Sequence, residues 1–206
     1  MSDSEVSLDL VPAQLYRPKL LRMAVIAVTL GAVVALVVAV FASWWLAAAI
    51  GLFVAGPTTV YLLLLSRRRM WLTQHVVHNR RFFATVRTRL DRADRAELEV
   101  HPGAIGQITL TVSDGATSQT VPLAMYTDTG SGRELDAAAL RGLANGLAES
   151  ESSAAAAVSA VLAEQAQVGD AVLGERPLFR AYLVLHRAGL DVSHTLTPAE
   201  LAGLLS

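Results

Sequence analysis

The chain has 206 residues, 53% of them hydrophobic, and carries 17 Lys and Arg against 18 Asp and Glu, with no cysteine. The missing thiols exclude disulfides, thiolate catalysis and Cys-ligated zinc or iron–sulfur clusters. The net charge of −1 conceals a segregation: residues 1–22 are balanced, residues 67–95 carry nine Arg against Asp91 and Asp94, and residues 96–206 carry five Arg against thirteen acids.

Residues 1–22 contain Asp3, Glu5, Asp9, Pro12 and Pro18 without a clear period, which predicts an extended N-terminal cytoplasmic arm. From Met23 to Leu65 no side chain is charged, and Arg17, Lys19 and Arg22 flank one end of this run as Arg67, Arg68 and Arg69 flank the other. One helix of that length would measure about 64 Å, roughly twice a hydrocarbon core, whereas two helices of about 20 residues fit it. Residues 23–65 therefore read as a transmembrane helical hairpin. Its expected turn is Phe41–Trp45, because the amphipathic rings of Trp44 and Trp45 suit the headgroup layer. Basic clusters at both outer ends, and none in the turn, predict a multi-pass protein of the plasma (inner) membrane with both termini cytoplasmic. The run is too long for a cleaved signal peptide.

Within the first span Ala27, Gly31, Ala35 and Ala39 recur every four residues; Ser43, Ala47, Gly51, Ala55 and Thr59 repeat the spacing in the second. Small residues let backbones approach where no hydrophobic drive holds helices together, so the stripes pack on each other or on a partner helix. Pro57 removes one helical hydrogen bond, and the Thr58 or Thr59 hydroxyl could satisfy the freed carbonyl. The lack of ionisable groups between residues 23 and 66 argues against an ion path.

Residues 66–97 read as a basic juxtamembrane helix with Leu72, Val76, Phe83, Val86 and Leu90 near one face. Together with Trp44 and Trp45, the residues Arg67, Arg68, Arg69, Trp71, Arg80 and Arg81 form an expected lipid interface. Each basic residue at a membrane surface contributes about 1 kcal/mol toward anionic lipid, which favours lipid over nucleic acid as the partner of this collar.

Residues 98–206 predict a small cytoplasmic α+β domain. Leu98–Val100 opens a strand pattern; Ile108, Leu110 and Val112, then Val121, Leu123 and Met125, alternate around Asp114-Gly115, a hairpin signal, with Pro122 placing the second strand toward an edge. Helices follow with Leu135, Leu140, Leu143 and Leu147 on one face after a candidate N-cap at Asp136, then over Ser152–Gln167 and Pro177–Ala188. Thr197-Pro198-Ala199-Glu200 is a capping box opening a last helix. The expected fold is thus a membrane α-helical hairpin followed by a small α+β domain.

Asp128-Thr129-Gly130-Ser131 matches the core of aspartic protease sites, but it occurs once rather than twice and polar residues follow it, so a flexible loop explains it better. His75 and His78 stand three residues apart with no carboxylate within a turn of them. They read as interfacial histidines, with a haem or quinone contact as the alternative. His101, His186 and His194 are isolated, and no nucleophile elbow, phosphate loop or dinucleotide fingerprint accompanies them. No enzyme activity, cofactor or metal is expected. A hidden catalytic centre would show as a polar pocket converging on Tyr126, Asp128 and His186 or His194.

On Met23–Leu65, Trp44-Trp45 and Arg67–Arg69, with its Ala and Arg bias, the chain resembles the small two-span accessory subunits of actinobacterial membrane assemblies, among them an accessory subunit of cytochrome c oxidase in the respiratory supercomplex. That resemblance implies a non-catalytic structural or regulatory subunit of an integral membrane protein complex, with haem and copper ligands on other subunits. The alternative is a membrane-anchored regulator or adaptor whose domain recruits a cytosolic protein.

Overall fold

The computed structural model describes residues 5–11, 13–41, 43–66, 69–80, 84–103, 105–127, 132–168, 172–187 and 192–205. They fall into two compact units, one helical and one built from sheets and helices.

The helical unit consists of α1 (Ala13–Phe41) and α2 (Trp44–Ser66), both long and apolar enough to cross a membrane. Helix α1 begins ten residues before the uncharged run, so Arg17, Lys19 and Arg22 lie on its first turns rather than in an extended arm. The Ser43 carbonyl accepts from the Leu46 and Ala47 amides, which closes the turn into α2. Large apolar side chains such as Leu36, Val40, Leu52 and Phe53 point outward, over 70% exposed, while Gly31, Ala47 and Gly51 are buried. Leu62 is buried as well, so among the described residues the buried positions of the two helices are three small residues and one leucine.

The second unit is discontinuous in sequence. Strand β1 (Val6–Ser7), ahead of the hairpin, pairs antiparallel with β2 (Arg69–Thr73), behind it; Val6 stands opposite Leu72. Strands β3 (Val76–Arg80) and β4 (Thr85–Arg89) complete a four-stranded sheet in the order β1-β2-β3-β4. The expected arm and the expected basic helix over 66–97 are both corrected here. Leu8 and Leu10 are core residues, and the segment after Arg69 is a β-meander. Its apolar spacing fits a helix face, but Leu72, Val77 and Thr88 are also the inward members of a period-2 alternation rich in Val and Thr. The two-residue turn Gln74-His75, with Gln74 at φ 54°, folds β2 onto β3.

A five-stranded antiparallel sheet follows in the order β8-β7-β6-β5-β9: β5 (Arg95–His101), β6 (Ile105–Ser113), β7 (Ser118–Thr127), β8 (Gly132–Glu134) and β9 (His194–Thr195). The β6–β7 hairpin turns at Gly115, whose φ of 78° suits glycine. Asp114 accepts from the Ala116 and Thr117 amides and, across to the other sheet, from the Arg89 amide. Among the described residues strand β8 pairs only with Ala124–Tyr126, which leaves β7 an outer strand at Pro122.

Helices α3 (Ala137–Ala148), α4 (Ser153–Gln167), α5 (Pro177–Arg187) and α6 (Pro198–Leu204) complete the unit. Asp136 occupies the N-cap position of α3 without a side-chain hydrogen bond, whereas Thr197 and Glu200 form the full reciprocal capping box. Gly142 and Gly146 let α3 lie close on Leu72 and Leu90: a Cβ at either would come within 2.7 Å of those side chains.

Candidate functional site

The two small-residue stripes face each other inside the hairpin. A Cβ on Gly31 would lie 2.7 Å from both the Ala55 Cβ and the Gly51 carbonyl oxygen; one on Gly51 would lie 2.8 Å from the Ala35 Cβ and the Gly31 carbonyl. Ala47 is buried, Ala27 half-buried, and Ala39, expected in the same stripe, is exposed. The Thr29 hydroxyl donates back to the Val25 carbonyl, but the buried Thr59 hydroxyl has no partner among the described residues and does not satisfy the carbonyl freed by Pro57. Trp44 and Trp45 open α2 with their rings stacked 3.9 Å apart, both about two-thirds exposed.

Ladder pairing decides which residues share the outer face of the first sheet, because opposed residues in antiparallel strands point the same way. Arg69 stands opposite Arg80, and Trp71 opposite His78, which in turn stands opposite Arg87. Their neighbours Leu72, Val77 and Thr88 point into the core. The Trp71 and His78 rings stack 5.2 Å apart and nearly parallel, at 4°. Burial, and then the Arg87 charge, push the His78 imidazole below its ordinary pKa, with Glu5 opposing. Arg67, Arg68 and Arg81 lie outside the described residues.

Three acids border this face. Asp9 accepts from the Met70 amide beside Arg69, and its burial raises its carboxyl pKa. Glu5 lies at the β1 edge, and Asp91 pairs with Arg89 at 2.5 Å. Among the described residues neither Arg80 nor Arg87 has an acidic partner at ion-pair distance.

A polar cluster without any sequence signature joins β7, β8, α4 and α5. Tyr126 donates to Glu134 Oε1 (2.7 Å), and Gln165 Nε2 and Arg176 Nη1 donate to Glu134 Oε2 (2.7 and 3.1 Å). The Leu178 amide donates to Gln165 Oε1 (3.0 Å). Desolvation, then the Glu134 charge, raise the Tyr126 phenol far above its ordinary range. Phe179 meets the Tyr126 ring edge-on at 5.0 Å, and Tyr182 stacks on His186 at 5.3 Å. A phenol whose proton is held by a carboxylate, itself held by an arginine and an amide, braces a core and offers no free base.

Among the described residues, those named for a hidden catalytic pocket are engaged separately. Tyr126 is spent on Glu134, His186 lies beyond Tyr182, and His194 bonds Glu200 at 3.1 Å. Asp128 and the rest of its motif lie outside the described residues. His75 and His78 part company: His78 joins the outer face, while His75, in the β2–β3 turn, meets Glu149 at 2.8 Å. That carboxylate is distant in sequence and is brought in by α3. Among the described residues no three His, Asp or Glu side chains gather as a metal site would require. No family model, curated protein or solved structure matches the chain.

Proposed function

We propose that the protein is a membrane-anchored binding module that acts by holding its sheet-and-helix unit at the membrane to recruit a cytosolic partner, without chemistry of its own. The observation that carries this reading is the closure of the hairpin on itself. Gly31 and Gly51 are used against Ala55, Ala35 and each other's carbonyls, so the surface best suited to a partner helix is already occupied. An accessory subunit of a larger membrane assembly, the respiratory one included, would need another intramembrane contact. The Tyr126–Glu134–Arg176 cluster braces the sheet-and-helix unit, its groups being committed to one another.

Extraction in mild detergent followed by sizing tests the reading. A monomer or small oligomer is expected. Stoichiometric recovery within a large assembly would favour the accessory-subunit reading instead, and mass spectrometry of that assembly would name it.

A further inference from the structure

We propose that the outer face of the β2–β3–β4 ladder, formed by Arg69, Trp71, His78, Arg80 and Arg87, is a docking surface for anionic lipid headgroups. The inference rests on the membrane-anchored reading and adds to it a surface and a ligand class.

Charge complementarity selects the ligand. Asp91 neutralises Arg89, and Asp9 lies beside Arg69, which leaves Arg80 and Arg87 as cations without acidic partners at ion-pair distance among the described residues. They occupy adjacent strands on one side of the Trp71–His78 stack. Guanidinium groups bind phosphate through paired N–H donors, and tryptophan settles at the headgroup level with its indole N–H toward water. Covalent connection selects the source. Strand β2 starts at Arg69 and α2 ends at Ser66, so three Cα steps, at most about 11 Å, separate Arg69 from the end of a helix long enough to cross a membrane. Headgroup phosphates therefore stand at high local concentration beside these arginines.

Nucleic acid fits less well. Single strands bind by stacking bases on open aromatic faces, and one face of Trp71 is covered by His78 at 5.2 Å.

The test uses the full chain with Trp44→Phe and Trp45→Phe, which leaves Trp71 as the reporter among the three tryptophans. It is reconstituted in nanodiscs of phosphatidylcholine, alone or mixed with phosphatidylglycerol. With phosphatidylglycerol present, Trp71 emission should move to the blue and be quenched by lipids brominated near the headgroup, and salt should reverse both changes. Arg80→Gln and Arg87→Gln should each lower the ratio of docked to undocked protein about fivefold, the factor equivalent to about 1 kcal/mol per basic residue. Lysine at either position should retain much of the docking, which separates lost charge from lost fold. Trp71 emission that ignores phosphatidylglycerol in a chain that has entered the discs overturns the docking surface alone. So does emission that responds to added RNA or an acidic polypeptide but not to lipid. A chain that never enters the discs overturns the anchor and the docking together.

Discussion

Glycine does opposite things in the two units. In the hairpin, Gly31 and Gly51 admit backbone: the atoms a Cβ would strike are carbonyl oxygens and alanine methyls. In the sheet-and-helix unit, Gly106, Gly142 and Gly146 admit large side chains, namely Tyr182, Leu72 and Leu90. The membrane location proposed for α1 and α2 accounts for the contrast. In water, burying a leucine or tyrosine is itself the driving force, so glycine makes room for bulk. Between apolar helices in an apolar medium burial gains little, and close backbone approach provides the dispersion contacts instead. Damage to one unit should therefore look unlike damage to the other.

The largest effect should come from Leu143→Asp, which places an unpaired charge at a fully buried position of α3. The cost, several kcal/mol against a total stability of about 5–15, should leave the sheet-and-helix unit unfolded and protease-sensitive while α1 and α2 still enter membranes. Next comes Glu134→Ala, which strips Arg176 and Tyr126 of their shared acceptor. A loss of about 3 kcal/mol is expected in urea unfolding, and a neutral result would mean that water replaces the carboxylate.

Gly31→Leu or Gly51→Leu should invert the pattern. Overpacking by about 1–3 kcal/mol should weaken disulfide cross-linking between cysteines engineered into α1 and α2, with unfolding of the other unit unchanged. Val37→Leu, at an exposed position of α1, serves as the control. The smallest effect concerns His78. Its folded pKa lies below the ordinary 6.5, so the unfolded chain binds more protons in the interval between the two values. The stability associated with this residue is complete above 6.5 and is lost as pH falls toward the folded value. His78→Gln should show a shallower acid-side decline in unfolding midpoint than wild type; identical slopes would mean that the imidazole titrates as if exposed.

What could be read from the sequence follows the range of the forces involved. The uncharged run, the Asp114-Gly115 turn and the Thr197–Glu200 capping box are local patterns, and local patterns place local elements. The meander after Arg69 was hidden because Leu72, Val86 and Leu90 fit a helix face as well as strand alternation, and only pairing across β2, β3 and β4 decides between them. Arginine spacing showed a basic collar but not which side chains share a face, which register alone determines. The Glu134 cluster could not have been found, since residues 126, 134, 165 and 176 carry no common motif.

Pairing of β1 with β2 makes the hairpin an insertion within a folded unit rather than an appendage at its end. During synthesis Val6 and Ser7 must wait for more than sixty further residues before their partner strand exists, and on the proposed transmembrane reading they can join it only if both ends of the inserted segment emerge on the same side. A span too few or too many would strand Leu8 and Leu10 away from the core they fill. On that reading, strand pairing proofreads the threading of the hairpin. By the same logic, a fragment cut at Arg69 would lose an edge strand and two buried leucines along with the hairpin.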